Sequence, residues 1–365
     1  MIAIAAPIIG DEETRAVNEV LASGRLAQGP KVAELEADFA AYCGTKYAVA
    51  VNSGTAAIHA ALYAAGVGEG DEVVTTSFSF MATINPILML GARPVLVDID
   101  PVTFNLDAAA VERAITDKTK VIMPVHLYGQ PADMDELQRI AKERNLRIVE
   151  DACQAIGAEY QAKKAGSLGD AGCFSLYATK NIMCGEGGMV TTDDPAVAAA
   201  IRQFRQHGMT DQYEYAGVGY NYRMSDLHAA IAIEQLRKAD HFTSLRQRNA
   251  KLFSAELSDY GGLELPTVFD DRTHVYHQYT VRLKPGIDRQ KLLEELRRRD
   301  VIAGVYYHKP LHAYPHVAEL GYRMGDLPQA ERAANEVLSL PVHPMVTEDD
   351  VAYIAQTLKE SIDGQ

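Results

Sequence analysis

Short apolar runs alternate with helical patterns over residues 45–195, and this alternation constrains the fold more than any other feature of the sequence. Strands that alternate with helices at this spacing are typical of a mostly parallel sheet covered by helices on both faces. The helices predicted between strands include an Ala-rich one over 55–65, ended by Gly66, and one over 133–143. The predicted strands are 47–51, 72–76, 94–98, 121–126, 146–150, 173–177 and 189–192.

The pattern changes after about residue 225, where longer helices and few strands are predicted. Asp288 is a suitable N-cap for the charged helix that follows it, and Pro341 ends the last one. We therefore predict a large domain over residues 1–240, whose N-terminal arm (1–25) packs on a smaller α+β domain over residues 241–365. The helices predicted in this part are 226–236, 242–257, 289–299 and 329–338, and the strand is 279–283.

The charge balance argues against nucleic acid as a partner. Lys and Arg number 35 and Asp and Glu number 49, which gives a net charge of −14 with His neutral. Binding along a phosphate backbone needs clustered cations, whereas a small anionic ligand needs only a local pocket.

Membrane spans, secretion, disulfides and metal sites are not indicated either. No run of 18 apolar residues occurs, and the apolar start of the sequence has no basic region and turns acidic at Asp11. Cys43, Cys153, Cys173 and Cys184 form no CxxC pair. We therefore expect no metal, no membrane contact and a location in the reducing cytoplasm.

A phosphate-binding site is the first chemical feature that the sequence indicates. Asn52-Ser53-Gly54-Thr55 follows a predicted strand and opens a predicted helix. The free N–H groups at a helix N-terminus favour an anion, Ser53 and Thr55 add hydroxyl donors, and Gly54 lets a ligand approach the backbone. A plain helix cap explains the same residues and remains open, because Ser and Thr are favoured there in any case.

An acid and a lysine follow two of the other predicted strands. Asp151 comes after the strand 146–150, where a carboxylate suits a protonated ring nitrogen, although it is also a good cap for the next helix. Lys180 comes after the strand 173–177, where burial would keep its amine nucleophilic, although most lysines in loops are simply solvated. Ser175 precedes this lysine, and a Gly-rich stretch over 185–188 follows it.

Together these motifs predict a site for pyridoxal 5′-phosphate (PLP). The cofactor needs a phosphate site, a carboxylate at its pyridine nitrogen and a lysine that forms a Schiff base. No strand–GxGxxG–helix unit occurs, so a dinucleotide cofactor is not indicated.

Motifs along almost the whole chain make it resemble the DegT/DnrJ/StrS family of sugar-nucleotide aminotransferases, which have the aspartate aminotransferase fold (fold type I). The resemblance implies an α/β large domain with a mostly parallel seven-stranded sheet, a smaller α+β C-terminal domain, and PLP as the cofactor. The motifs that carry it are Ser23-Gly24-Arg25, Gly29-Pro30, residues 52–57, 70–73, 77–83, 97–100 and 127–130, the Asp151 and Lys180 motifs, residues 219–224 and residues 338–341.

The resemblance also implies a role for each matching residue. Lys180 is the implied catalytic residue, which forms the Schiff base and carries the proton during the reaction. Asp151 is expected at the pyridinium nitrogen and Gln154 at the ring hydroxyl. Phe80 is expected against the ring face, unless it is a core aromatic. The residues expected at the phosphate are Ser53, Gly54, Thr55 and Ser175.

Assembly and substrate binding are also inferred from the family. In relatives, the residue at the position of Asn221 comes from the neighbouring subunit and reaches the phosphate, which implies a homodimer with shared active sites. Arg223 lies two residues further on, and it contacts substrate or forms a surface ion pair. The other residues where substrate contacts are expected, unless they are simply solvated, are His126, His308, Lys309 and His312.

The implied reaction moves an amino group, usually from glutamate in this family, to a keto-sugar nucleotide for polysaccharide, glycan or glycosylated-metabolite synthesis. Some members carry His in place of the lysine and act as dehydratases, and Lys180 argues against that role here. Two alternatives stay open: an aminotransferase for a cyclitol or another small ketone, and a PLP-binding regulatory protein without turnover.

Overall fold

The computed structural model describes residues 1–365, and helices make up most of its regular structure. The α-helices, in chain order, are α1 (Asp11–Ser23), α2 (Pro30–Cys43), α3 (Gly54–Ala64), α4 (Asn85–Met89), α5 (Ala108–Ala114), α6 (Met134–Arg144), α7 (Pro195–Phe204), α8 (Asp226–Arg237), α9 (Ala239–Leu257), α10 (Arg289–Arg298), α11 (Pro315–Ala318), α12 (Pro328–Glu336) and α13 (Glu348–Asp363). Each of these helices is too short or too polar to cross a lipid bilayer.

Strands form one large sheet and three small ones. The strands, in chain order, are β1 (Tyr47–Val51), β2 (Glu72–Thr76), β3 (Arg93–Val97), β4 (Thr119–Met123), β5 (Arg147–Asp151), β6 (Glu159–Tyr160), β7 (Lys163–Lys164), β8 (Ala171–Ser175), β9 (Gly188–Thr192), β10 (Met209–Asp211), β11 (Glu214–Tyr215), β12 (Leu263–Glu264), β13 (Tyr279–Leu283) and β14 (Val337–Leu340).

The large sheet has seven strands in the order β1-β9-β8-β5-β4-β2-β3. Strand β9 runs antiparallel to β1 and β8, and the neighbours among the other strands pair in parallel. This confirms the predicted α/β fold with a mostly parallel seven-stranded sheet. Parallel strands place their carboxyl ends at one edge, which is where ligands bind in open α/β sheets.

Alternate residues of the strands in the large sheet supply the cores on its two faces, as β1 illustrates. Val49 and Val51 of β1 belong to the core that includes α3, whereas Ala48 and Ala50 belong to the core that includes α2 and α8. Because both faces are covered, these strands are apolar throughout rather than alternately polar. This burial explains why short β-branched runs revealed the strands in the sequence.

A second unit follows in the C-terminal part of the chain. Strands β12, β13 and β14 form an antiparallel sheet, and 18 buried residues from Ala250 to Leu358 form a core of their own. The N-terminal arm contacts both parts, because Ile2 pairs with Val301 while α1 packs on α8. The exact domain boundary at residue 240 stays a prediction.

The predicted helix over 329–338 is wrong at its C-terminal end. The helix ends at Glu336, and Val337–Leu340 is a buried strand paired with β13. The alternation of branched apolar residues at 337–340 suits that strand, and pairing with a distant segment overrides local helix propensity.

The predicted strand over 121–126 is also misplaced. Strand β4 covers Thr119–Met123. The next residue is Pro124, which has no N–H for the ladder, so the strand ends before it. The other predicted strands of the sheet differ from the observed ones by at most two residues at either end.

Candidate active site

One cavity of about 450 Å³ opens at the carboxyl edge of the large sheet, beside the N-terminus of α3. Residues of the loops after β2, β5 and β8 line it, together with Tyr306 and Tyr307 from the C-terminal part. Eight of the nine residues predicted to bind the cofactor line this cavity: Ser53, Gly54, Thr55, Phe80, Asp151, Gln154, Ser175 and Lys180.

The N-terminus of α3 forms one end of the cavity. The Ser53 hydroxyl accepts a hydrogen bond from the Ala56 N–H at 3.1 Å, so Ser53 caps the N-terminus of α3. The helix cap that the sequence analysis left open is therefore present. The first N–H groups of a helix have no acceptor within it, and here they face a cavity. A Cβ on Gly188 would lie 2.3 Å from the Ser53 carbonyl oxygen, so only glycine lets β9 approach this helix start so closely.

Asp151 is the last residue of β5, and its side chain is almost fully buried at the cavity wall. One carboxylate oxygen, Oδ2, accepts a hydrogen bond from the Thr83 hydroxyl at 2.8 Å. The other, Oδ1, accepts one from the Cys153 N–H at 3.2 Å. A buried carboxylate held at both oxygens has a fixed orientation, which suits recognition of one protonated group in the cavity.

Lys180 lies in the loop that follows β8, half-buried at the cavity. Burial lowers the pKa of its amine, because removal from water disfavours the charged ammonium, and Cys153 and Asp151 nearby oppose this shift only in part. The amine is therefore unprotonated more often than that of an exposed lysine, and it combines nucleophilicity with the capacity to accept a proton.

Gln154 and two aromatic side chains form a further part of the wall. The Gln154 Oε1 accepts from the Tyr128 N–H at 2.8 Å, and its Nε2 donates to the Tyr307 hydroxyl at 3.2 Å. Phe80 is 58% exposed, so it is not a core aromatic, and its ring centroid lies 6.0 Å from that of Tyr307. An exposed ring at the mouth of a cavity is available to stack on a flat ligand.

Two of the predicted substrate contacts are buried instead, and the structure contradicts these predictions. In His312, Nδ1 lies 2.6 Å from the Ser77 hydroxyl and Nε2 lies 3.0 Å from Glu331. In His126, Nε2 lies 2.9 Å from Glu150 and Nδ1 accepts from the Ala132 N–H at 3.1 Å. Both rings are at most 1% exposed, so neither has a nitrogen available for a substrate.

The remaining predicted residues lie outside the cavity of their own chain. Asn221 is exposed, and its backbone pairs with Gln206. Arg223 is half-buried. His308 is exposed, and the ammonium of Lys309 lies 4.7 Å from the ring centroid of Tyr314. Their roles at a shared site stay predictions.

Sequence reasoning missed several cavity residues, of which Tyr307, Thr83 and His277 are examples. Tyr307 stands beside the predicted His308, and Thr83 lies in one of the quoted motifs, so both had a weak local signal. His277 had none, because only the tertiary fold brings it to Asn181, whose Oδ1 lies 3.2 Å from its Nδ1. Burial lowers the pKa of His277, and the nearby charges of Lys180 and Arg246 lower it further.

Comparison with known proteins identifies the family. The model of the DegT/DnrJ/EryC1/StrS aminotransferase family matches residues 7–359. This chain belongs to that family. It is therefore an aminotransferase with the PLP fold type I architecture, as the resemblance in its motifs implied.

This chain is similar to proteins with several different names. GDP-perosamine synthase from Caulobacter vibrioides is 41% identical over 365 residues, covering 98% of each chain. A pleiotropic regulatory protein from Geobacillus stearothermophilus is 45% identical over 352 residues, covering 96% of this chain and 94% of that one. The solved PLP-form of Spr1654 from Streptococcus pneumoniae is 29% identical, with a TM-score of 0.94, covering 100% of this chain and 98% of that one.

Proposed function

We propose that this protein is a PLP-dependent aminotransferase that transfers an amino group, from glutamate, to the keto group of a nucleotide-linked sugar. The observation that carries the proposal is the meeting of three features at one cavity: the N-terminus of α3, the buried Asp151 and the amine of Lys180. The sugar nucleotide as acceptor is supported by the similarity to GDP-perosamine synthase.

The residues around the cavity fit PLP. Gly54 faces Ser175 at the start of α3, in a space that any larger side chain would fill, and a phosphate is favoured there by the helix dipole and the Ser175 hydroxyl. Asp151 is suited to the ring nitrogen, Gln154 to the ring hydroxyl and Phe80 to the ring face. When bound, the cofactor supplies an electron sink that stabilises negative charge on the carbon losing its proton.

Each residue of the chain then has a defined task. Lys180 would hold the cofactor through its amine. As a free amine, Lys180 would accept the proton that the donor's α-carbon loses and pass it to the cofactor carbon that carries the transferred nitrogen. Asp151 keeps the ring nitrogen protonated by its charge. Phe80 and Tyr307 line the cavity and would limit the access of water to a bound ring.

The assembly that we propose is a homodimer, in which Asn221 of each chain completes the phosphate site of the other. This placement is supported by the exposure of Asn221 outside the cavity of its own chain. Arg223, His308 and Lys309 are candidates for contacts to the sugar nucleotide, because cationic groups suit its diphosphate. We place the reaction in the cytoplasm, which the four free cysteines favour.

One experiment tests the reaction and separates it from its alternatives. The purified protein is loaded with PLP, its absorbance spectrum is recorded, and glutamate is added alone. Loss of the absorbance band of the lysine-bound cofactor, with formation of 2-oxoglutarate, is expected. No spectral change with glutamate or other amino acids would favour the regulatory function suggested by the name of the Geobacillus stearothermophilus relative.

The acceptor is then tested with a panel of keto compounds. The protein that carries the aminated cofactor is separated from glutamate and mixed with nucleoside-diphosphate keto sugars, with the same keto sugars lacking the nucleotide, and with keto cyclitols. Return of the original spectrum is expected with a nucleotide-linked sugar. Return only with a cyclitol or a free sugar would overturn the proposed acceptor while leaving the aminotransferase activity in place.

A further inference from the structure

Three oxygen-bearing side chains form a hydrogen-bonded chain along one wall of the cavity. The Ser79 and Thr83 hydroxyls lie 2.8 Å apart, and the Thr83 hydroxyl lies 2.8 Å from Oδ2 of Asp151. Ser79 is 3% exposed and Thr83 1% exposed, and all three residues line the cavity. The chain therefore runs between the loop after β2 and the end of β5.

The direction of each hydrogen bond follows from the donors available. A carboxylate accepts hydrogen bonds and donates none, so Thr83 must donate its single hydroxyl hydrogen to Asp151. The hydrogen bond between the two hydroxyls then has only one possible donor, which is Ser79. The order of donation is thus Ser79 to Thr83 to Asp151, and each bond polarises the next toward the carboxylate.

Backbone contacts place Thr83 in the same turn as the residue expected against the cofactor ring. The Thr83 N–H donates to the Phe80 carbonyl at 3.0 Å, in a short 3₁₀ turn that covers Met81–Thr83. One turn thus carries both the aromatic ring at the cavity mouth and the hydroxyl that contacts Asp151. The turn is thus connected to the site through both residues.

We propose that Thr83 is a positioning residue for Asp151, and that its hydroxyl, fixed by Ser79, sets the orientation in which the carboxylate meets the ring nitrogen of PLP. The proposal rests on the proposed function and names a further residue on which cofactor binding depends. A carboxylate plane turns easily about its last torsion angle, whose preference is broad. The hydrogen bonds from Thr83 and the Cys153 N–H, one on each oxygen, remove that freedom.

Three variants test the proposal, and all are compared with the wild type as cofactor-free protein to which PLP is added back. Thr83→Val keeps the shape and removes the hydroxyl, Thr83→Ser keeps the hydroxyl, and Ser79→Ala removes only the outer donor. Two quantities are measured with PLP labelled with ¹⁵N in the ring: its dissociation constant, and the pH at which the ring nitrogen loses its proton, from the ¹⁵N chemical shift.

The effects should be graded along the hydrogen-bonded chain. Thr83→Val is expected to weaken PLP binding by about tenfold, the usual effect of one hydrogen bond to a charged group. It should also lower the pH of ring deprotonation by about one unit, since a misaligned carboxylate holds the proton less well. Thr83→Ser should stay within about twofold of the wild type, and Ser79→Ala should fall between the two.

Unfolding of the cofactor-free variants separates a positioning role from a purely structural one. If Thr83→Val folds but leaves both quantities unchanged, the proposal is overturned. If Thr83→Val does not fold, Ser79→Ala decides: a lower pH of ring deprotonation at an unchanged melting temperature supports the proposal, and wild-type values overturn it. If the wild type takes up no PLP, the proposed function fails as a whole, and that result is distinct from the others.

Discussion

Gly54 lies so close to Ser175 that a Cβ on Gly54 would be 2.8 Å from the Ser175 Cβ and 3.1 Å from the Cys153 sulfur. The start of α3 and the end of β8 therefore meet without room for a side chain. This contact brings the first N–H groups of the helix and the Ser175 hydroxyl to the same end of the cavity. The geometry explains why a glycine is needed at this position, beyond its general suitability near a helix start.

Gly54→Ala is predicted to weaken PLP binding by roughly tenfold or more, because β8 or α3 must move and the phosphate end of the cavity changes shape. Titration of the cofactor-free variant with PLP measures the effect. Gly68→Ala is the matched control, since a Cβ there has nothing within 4 Å, and its affinity should equal that of the wild type. Equal affinity in the Gly54 variant would show that the phosphate lies elsewhere.

Asp151→Asn is predicted still to bind the cofactor, with an affinity lowered at least as much as in Thr83→Val, but to lose most of the turnover rate. The amide keeps the shape and the oxygen that accepts from Thr83, but it has no charge to hold a proton on the ring nitrogen. Parallel measurements of kcat and of the PLP dissociation constant test this separation. Near-normal kcat in the variant would mean that another group protonates the ring.

Complementation between two inactive variants tests the shared site. If Asn221 completes the site of the partner chain, a mixed dimer of Lys180→Ala and Asn221→Ala has one site with both defects and one site with neither. Mixed chains should therefore regain activity, provided that the Asn221 variant alone has lost cofactor affinity and that subunits exchange. Exchange shown by mass spectrometry without any return of activity would contradict the shared-site model.

Acid is predicted to destabilise the fold through buried histidines. Burial lowers the pKa of His59 to about 4, so the folded state holds this ring neutral whereas the unfolded chain protonates it near pH 6.5. Above pH 6.5 the free energy of unfolding is not reduced by this group. As the pH falls to 4, protonation of the unfolded chain lowers the free energy of unfolding by roughly 3 kcal/mol. Burial lowers the pKa of His274 to about 3 and acts in the same direction.

His59→Phe provides the test of this pH dependence. The ring lies among Phe204, Tyr220 and Tyr222, so a phenyl group fits the aromatic surroundings while removing the titrating group. Chemical denaturation between pH 4 and 7 should give a shallower pH dependence for the variant than for the wild type. Parallel curves for the two proteins would assign the acid sensitivity to other residues.

The sequence predicted the central sheet and eight of the 23 residues that line the cavity, because these features depend on local patterns. Strands buried on both faces are apolar runs, and Ser53, Asp151 and Lys180 each lie at or just beyond the end of one. Parallel pairing brings the ends of β5 and β8 to one edge of the sheet, and β1, which runs in the same direction on the far side of the antiparallel β9, ends at that edge too.

Predictions failed where contacts distant in sequence decide the role of a residue. His312 was expected at the substrate, but it pairs with Ser77, 235 residues away, and with Glu331. Nothing in the residues next to His312 indicates these partners. Tyr307 was missed for the same reason, because its contact with Gln154 spans 153 residues. Residues in loops of the C-terminal part therefore need the tertiary structure for their assignment.

Transfer of labelled nitrogen tests the central claim most directly. PLP-loaded protein is incubated with ¹⁵N-glutamate and the nucleoside-diphosphate keto sugars, and the products are analysed by mass spectrometry, with Lys180→Ala as the control. The account predicts an amino-sugar nucleotide that carries the ¹⁵N label, formed together with 2-oxoglutarate and absent from the Lys180→Ala reaction. Formation of the same labelled product by the Lys180→Ala protein, or no labelled sugar nucleotide from PLP-loaded wild type with any of these acceptors, would contradict it.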